Sequence, residues 1–259
     1  LCMEVEMNRC LKPGVPFYEM ETSTITSAHL MGGWPCHKPG FVNAEAVNTF
    51  FAGGQGFSYW LFHQHRSGTE MPHGHLVNSF GTLSSSTKNV LEVKNSIEKL
   101  SPFITSTKVK QAEVALLYSD KGRAFSNYET FGRNNYFNDM LVTYESLLDT
   151  SMYRDIIFEH SNFDGYKVII IPFVMYMSDE LINKVVEAAK KGTTVIVGPY
   201  SCWRTASHAY YKYHAFGKME QYHNFRRKYD PSKSFVQGPR FTLQSNQRSC
   251  NGRYGRDYC

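Results

Sequence analysis

The amino-acid sequence predicts an α/β protein made of two consecutive domains. Short apolar runs alternate with stretches of helical periodicity over the first 200 residues. Some runs, such as VIII at residues 168–171, are continuously apolar, which is typical of parallel strands covered by helices on both faces. A chain of 259 residues with 42% hydrophobic and 20% charged residues is long enough and apolar enough to bury one or two such cores.

The first domain, predicted over residues 1–108, consists of two strand–loop–helix units that follow a short helix. The elements expected from apolar periodicity are, in order, helix 1–11, strand 15–20, loop 22–39, helix 42–52, strand 56–62, loop 63–84 and helix 87–104. The Pro13-Gly14 pair precedes the first strand, and Gly53-Gly54 ends the helix before the second. Two βα units cannot close a (β/α)8 barrel by themselves.

The second domain, predicted over residues 109–222, has the pattern of a flavodoxin-like parallel sheet, the layered fold that class I glutamine amidotransferases share. Its expected elements are strand 113–118, helix 136–148, an extended stretch at 156–158, strand 166–172, helix 179–191 and strand 193–197. Cys202 lacks the Gly-x-Cys-x-Gly turn that would expose a nucleophilic thiol, so it is predicted to be a buried structural residue.

Residues 223–259 lose this periodicity and are predicted to be an irregular tail. Two interpretations remain, a natural flexible tail and a reading-frame error, and we favour the second. The formal net charge of +5 is concentrated after Tyr211, yet the basic residues form no motif that predicts a nucleic-acid partner.

The sequence also gives expectations about where the protein is located and whether the chain is complete. The absence of a long apolar run or a leader-like start predicts no membrane association. Six scattered cysteines without a CxxC pair favour reduced thiols and a cytoplasmic protein. The chain starts at Leu1 rather than at Met, and we expect it to be a fragment of a longer protein.

Two carboxylates follow the two strands of the first domain. Glu21 comes directly after the first strand, and Glu70 lies in the loop after the second, where Arg66, His63, His65, His73 and His75 also occur. Loops that follow parallel strands share one face, so both carboxylates are expected in one cleft. Paired carboxylates with polar neighbours suit sugar hydrolysis, although surface ion pairs would explain two loop acids equally well. The histidine pairs favour sugar binding over a metal site, and no metal or cofactor is predicted.

Four segments resemble the β-galactosidases of glycoside hydrolase family 42. They are PFYEMETS at 16–23, HKPGF at 37–41, YWLFHQHRSGTEMPHG at 59–74 and GPYSCWRTASHAYY at 198–211. The resemblance implies that residues 1–108 are the last βα units of a TIM (β/α)8 barrel. It also implies a retaining exo-acting β-galactosidase that assembles as a homotrimer through its second domain. It implies that Glu21 is the catalytic nucleophile, that Glu70 and His73 bind galactose hydroxyls, and that Arg66 supports Glu70 or braces the loop.

Three departures from the family pattern qualify this expectation. His29 stands where the family has a Trp that lines the galactose subsite, and Trp34 is predicted to take that role instead. Glu19 is acidic where the family is apolar; alternation places Glu19 and Glu21 on one strand face, but only Glu21 lies at the strand end. The family's acid/base carboxylate would precede Leu1, so the fragment alone is expected to be inactive. The alternative function is a non-catalytic assembly module with a barrel remnant.

Overall fold

The computed structural model of the protein describes residues 2–33, 35–129, 135–198, 201–212, 219, 225–228 and 240–243. The chain divides into two compact units, residues 1–111 and 112–259. The predicted substrate residue Trp34 lies outside the described residues. No described helix is long and apolar enough to cross a membrane.

The first unit contains the predicted strand–helix alternation. Its elements are α1 (Cys2–Leu11), β1 (Phe17–Ser23), β2 (Ala28–His29), β3 (Gly32–Gly33), α2 (Phe41–Phe51), β4 (Gly54–Trp60) and α3 (Thr87–Ser106). Strands β1 and β4 pair in parallel, so α2 is the crossover between them. The antiparallel β2–β3 hairpin lies within the segment that the sequence predicted as a loop.

Helices α2 and α3 cover one face of the β1–β4 pair. Val42, Ala46 and Val93 form a buried cluster against which Phe57 and Tyr59 of β4 pack. The opposite face is open in the described part of the unit, where Met20 is 70% exposed and Trp60 is 41% exposed. Strand β4 therefore presents Phe57 and Tyr59 to the helices and Trp60 to the open face.

An irregularity in strand β1 separates Glu19 from Glu21. Glu19 is in register with Phe57, and Thr22 with Tyr59, so three residue steps in β1 match two in β4. Residues in register on parallel strands point to the same face, and both β4 partners pack on the helices. Glu19 and Thr22 therefore face the helix layer, and the extra residue places Glu21 on the open face. The expectation that Glu19 and Glu21 share a face is wrong, because simple alternation assumed an unbroken strand.

The second unit is built on a six-stranded sheet. Its elements are β5 (Val114–Tyr118), α4 (Asp120–Glu129), α5 (Tyr136–Asp149), β6 (Arg154–Phe158), β7 (Val168–Ile171), α6 (Asp179–Lys190), β8 (Thr194–Val197), β9 (Phe225–Lys228) and β10 (Arg240–Leu243). The strand order is β6-β5-β7-β8-β10-β9. The first four strands are parallel, which is the predicted flavodoxin-like arrangement. Helix α4 was not predicted.

Strands β9 and β10 fall in the segment that the sequence predicted to be irregular. They are antiparallel to each other, and β10 is antiparallel to β8. Most other residues of that segment lie outside the described ranges, so the domain limits and the two interpretations of the tail stay predictions.

Local signals and burial explain the regular part of the second unit. The Ser178 hydroxyl accepts a hydrogen bond from the backbone N–H of Leu181, which caps α6. Gly192 follows α6 with a φ of 102°, a left-handed conformation that glycine adopts without strain. Ile169, Ile171 and Cys202 are completely buried in the main core, which confirms the prediction that Cys202 is buried.

Candidate active site

Glu21 lies on the open face of β1, near the C-terminal end of the strand. Its side chain is exposed, whereas the next two residues, Thr22 and Ser23, are buried. The Thr22 hydroxyl donates to the carbonyl of Ser58 at 3.0 Å, which fastens the strand end to β4. The Ser23 hydroxyl is 2.7 Å from Nε2 of His37. Glu21 therefore carries an accessible carboxylate. The two residues that follow it fix the position of its strand through their hydrogen bonds to Ser58 and His37.

The indole of Trp60, the last residue of β4, holds Glu70 in position. The Nε1–H of Trp60 donates to Oε2 of Glu70 at 3.1 Å. Trp60 is in register with Ser23, two residues beyond Glu21, and in-register residues share a face. Glu21 and the indole that holds Glu70 therefore belong to the same open face of the strand pair. The Trp60–Leu61 peptide bond is cis.

A cleft of about 370 Å³ lies beside Glu70. The lining residues come from the β2–β3 hairpin and the loop after β4, namely Ser27, Ala28, His29, Gly33, Glu70 and His73. Two backbone hydrogen bonds join these segments, from Leu30 N to Thr69 O at 2.7 Å and from Gly74 N to Thr26 O at 2.9 Å. The unpredicted hairpin therefore forms one wall of the cleft.

Among the predicted site residues that the structure describes, His73 is the most buried, with 8% of its surface exposed. Its Nδ1 lies 3.1 Å from the carbonyl of Gly74, an acceptor, so Nδ1 carries the proton of the neutral ring. Nε2 is then an acceptor, suited to a hydroxyl group in the cleft. The backbone N–H of His73 donates to the carbonyl of Glu70 at 3.0 Å, which keeps the two side chains together.

The structure brings together some of the predicted residues and leaves Arg66 apart. Glu70 and His73 line one cleft, and His29 lines it with them. Arg66 is exposed and forms neither a hydrogen bond nor an ion pair with the residues that the structure describes, so it does not contact Glu70. Sequence reasoning did not find the Trp60–Glu70 contact, although Trp60 lies at a strand end where site residues are expected.

The helix side of the strand pair carries a separate set of acidic groups. Burial, together with the neighbouring carboxylates of Glu19 and Glu4, raises the pKa of Glu45 on α2 to about 7. Burial and Glu4 also raise the pKa of Glu19. Because Glu19 faces the helices, its raised pKa marks a half-buried acidic group on the helix side of the strand pair.

Parallel βα units with carboxylates after their strands, followed by a flavodoxin-like sheet, are the arrangement expected from the sequence resemblance to barrel glycoside hydrolases that carry an additional α/β domain. Two family models match the chain, "Beta-galactosidase" over residues 1–100 and "Beta-galactosidase trimerisation domain" over residues 112–250. The chain belongs to the β-galactosidases of glycoside hydrolase family 42. Its first unit is accordingly the C-terminal part of a (β/α)8 barrel.

Individual relatives agree with this assignment. The chain is 36% identical over 219 residues to β-galactosidase YesZ of Bacillus subtilis, a match that covers 85% of this chain and 33% of YesZ. The structure of the β-galactosidase from Rahnella sp. R3 superposes with a TM-score of 0.75 at 18% identity, covering 87% of this chain and 33% of that one. Gan42B, a GH42 β-galactosidase from G. stearothermophilus, gives 0.75 at 21% identity with the same coverage.

The chain spans about a third of the length of these relatives. Among the described residues, no group of three or more His, Cys, Asp or Glu side chains could hold a metal ion.

Proposed function

We propose that this chain forms the nucleophile-bearing part of a retaining β-galactosidase that hydrolyses terminal non-reducing β-D-galactosides, with Glu21 as nucleophile. One observation carries the proposal. The irregularity in β1 turns Glu21 to the open face that also carries Trp60, and Trp60 holds Glu70 beside a cleft. Glu19, the other candidate carboxylate, faces the helices.

The mechanism follows from the chemistry of paired carboxylates. A carboxylate oxygen of Glu21 attacks the anomeric carbon as the glycosidic C–O bond breaks, and a covalent galactosyl ester forms. An acid/base group from the part of the protein outside this chain protonates the leaving oxygen and then deprotonates the water that cleaves the ester. Two inversions give net retention, for which the two carboxyl groups need to be about 5 Å apart.

The cleft residues have roles that suit a sugar ring. The Oε1 oxygen of Glu70 can accept from a hydroxyl while Oε2 is bonded to the indole of Trp60. Nε2 of His73 can accept from a second hydroxyl, because Nδ1 carries the proton. Trp34 remains a proposed wall of the galactose subsite, and Arg66 a proposed brace of the loop rather than a direct partner of Glu70.

The proposal extends to assembly and location. The second unit matches a trimerisation-domain model, which supports a homotrimer of the whole enzyme. No cofactor is needed for the two displacement steps. We place the enzyme in the cytoplasm, for which the support is the cysteine pattern of the sequence.

A chimaera tests the catalytic assignment. The part of YesZ that precedes its matched segment is fused to this chain, and hydrolysis of p-nitrophenyl β-D-galactopyranoside is measured. We expect activity that Glu21→Gln lowers by at least about a thousandfold, since the covalent step is lost, and that Glu19→Gln leaves within a few-fold. A folded, trimeric chimaera without activity would instead favour the non-catalytic assembly module.

A further inference from the structure

The ring of His75 is bonded on both sides within the loop that carries Glu70 and His73. Its Nδ1 lies 2.8 Å from the carbonyl oxygen of His73, and its Nε2 lies 3.0 Å from Oδ1 of Asn78. Both distances are those of ordinary hydrogen bonds. His75 thus contacts the backbone of a cleft residue on one side and a turn of the same loop on the other.

The orientation of the Asn78 amide is determined by its other contacts. Its Nδ2 donates to the hydroxyl of Thr82 at 3.0 Å and to the carbonyl of Leu83 at 3.3 Å. A carbonyl can only accept, so the amide NH₂ must face Leu83 and Oδ1 must face His75. Both partners of the His75 ring are therefore acceptors.

A neutral imidazole has a single N–H, whereas the doubly protonated ring has one on each nitrogen. Two acceptors are matched only by the doubly protonated form. Both hydrogen bonds of the ring are to uncharged groups. The charged or titratable side chains of the surrounding loop, namely His63, His65, Arg66, Glu70 and His73, make no ring or ion-pair contact with it.

The backbone of His75 is also tied to the start of α3. Its carbonyl accepts hydrogen bonds from the hydroxyls of Ser84 and Ser86. The hydroxyl of Thr87, the first residue of α3, donates to the carbonyl of Leu76 at 3.0 Å. His75 therefore connects the cleft loop to a helix that packs on the barrel strands.

We propose that His75 is a positioning residue for the galactose-binding pair Glu70 and His73, and that it acts in its doubly protonated form. The ring donates to the His73 carbonyl and to Asn78, while its backbone holds the loop against α3. The inference rests on the proposed function for the identity of the ligand. Loss of either ring contact would release the link between the His73 carbonyl and the turn at Asn78, so the loop would loosen.

Two variants of the full chain test the proposal, with galactose as the probe. His75→Phe removes both donors, and His75→Gln keeps an amide donor. The control is His63→Gln, because the one hydrogen bond of the His63 ring among the described residues is to the carbonyl of the next residue, Gln64, at 3.1 Å. At pH 5.5 we expect His75→Phe to weaken galactose binding about tenfold, which corresponds to loss of a charge-assisted hydrogen bond, and His75→Gln to weaken it less.

Nitrogen-15 NMR of the wild-type histidine rings tests the protonation directly. We expect both His75 nitrogens to carry protons at pH 5.5 while the contacts to His73 and Asn78 are kept. A neutral ring at pH 5.5, or unchanged galactose binding in a folded His75→Phe variant, would overturn the proposal. If the wild-type chain does not bind galactose, the proposed function of the cleft fails, and the ring spectrum alone decides the role of His75.

Discussion

The indole N–H of Trp60 donates to the carboxylate of Glu70 at 3.1 Å, which links the last residue of β4 to the loop that follows it. The hydrogen bond engages Oε2 and leaves the other carboxylate oxygen available. Trp60 is also in register with Ser23, so it connects the end of β1 to the cleft that Glu70 lines. Trp60 is thus the structural connection between the proposed nucleophile strand and the proposed sugar-binding carboxylate.

Trp60→Phe is expected to weaken galactose binding to the full chain by about tenfold. Phenylalanine keeps an aromatic ring but has no N–H, so Glu70 loses a charge-assisted hydrogen bond. The thermal midpoint should change little, because Trp60 is 41% exposed. Isothermal titration calorimetry measures the affinity, and Phe62→Leu is the control, since Phe62 is also exposed. Equal affinities for Trp60→Phe and wild type would remove Trp60 from the site.

Gly74→Ala is expected to disturb the cleft. A Cβ at this position would lie 2.9 Å from Oγ1 of Thr24 and 3.0 Å from the backbone nitrogen of Thr26. Backbone does not yield easily, so we expect about 1–3 kcal/mol of destabilisation and weaker galactose binding. The comparison is Gly68→Ala in the same loop, where φ is +96° but no atom lies within 4 Å. Gly68→Ala should cost about 1 kcal/mol and leave binding unchanged; the reverse ranking would contradict the close-contact argument.

Glu45→Gln is expected to stabilise the first unit at pH 8 but not at pH 4. The pKa of Glu45 is raised from 4.5 to about 7, so the folded state binds more protons than the unfolded state between these values. Stability from this group is fully present below pH 4.5 and is lost as pH rises through about 7. Since Glu45 is only half-buried, we expect a gain of about 1–2 kcal/mol at pH 8.

Urea unfolding followed by hydrogen exchange in α2 measures this effect. Glu92→Gln on the exposed side of α3 serves as the control and should change stability by no more than about 0.5 kcal/mol at either pH. An equal change in stability from Glu45→Gln at pH 4 and at pH 8 would show that ionisation of the Glu45 carboxylate is not its cause.

Arg204→Ala is expected to destabilise the second unit by about 2–4 kcal/mol. Arg204 is 3% exposed, its Nε donates to Glu129 at 3.0 Å, and its guanidinium lies 3.6 Å from the ring centroid of Tyr210. The Arg204 hydrogen bond lowers the pKa of Glu129, so removing the guanidinium leaves a partly buried carboxylate without its main partner. Circular dichroism during urea unfolding gives the change in stability.

Arg123→Ala is the matched control for Arg204. Arg123 pairs with Asp120 on the exposed surface of α4 at 3.3 Å, and such pairs contribute about 0–1 kcal/mol. Similar losses from the two substitutions would mean that burial of Arg204 does not govern its contribution.

The periodicity of apolar residues was enough to predict most helices and strands, because the residue type at each position indicates whether its side chain is buried. It could not predict the irregularity in β1, since one extra residue is defined only by the partner strand. The two-residue strands β2 and β3 are too short to show a pattern, yet they form a wall of the cleft. Strand-end positions and the family resemblance suggested Glu21, Glu70 and His73. The hydrogen-bond donors that hold these residues depend on strand pairing and loop geometry, which the sequence did not show.

The role of Glu21 is tested most directly by trapping the covalent intermediate. The YesZ chimaera is treated with a 2-deoxy-2-fluoro-β-D-galactosyl fluoride, digested and analysed by mass spectrometry, with Glu21→Gln as the control. We predict a fluorogalactosyl ester on Glu21 and none in the variant. An ester on Glu19 or Glu70, or inactivation that persists in Glu21→Gln, would contradict the assignment of Glu21 as the nucleophile.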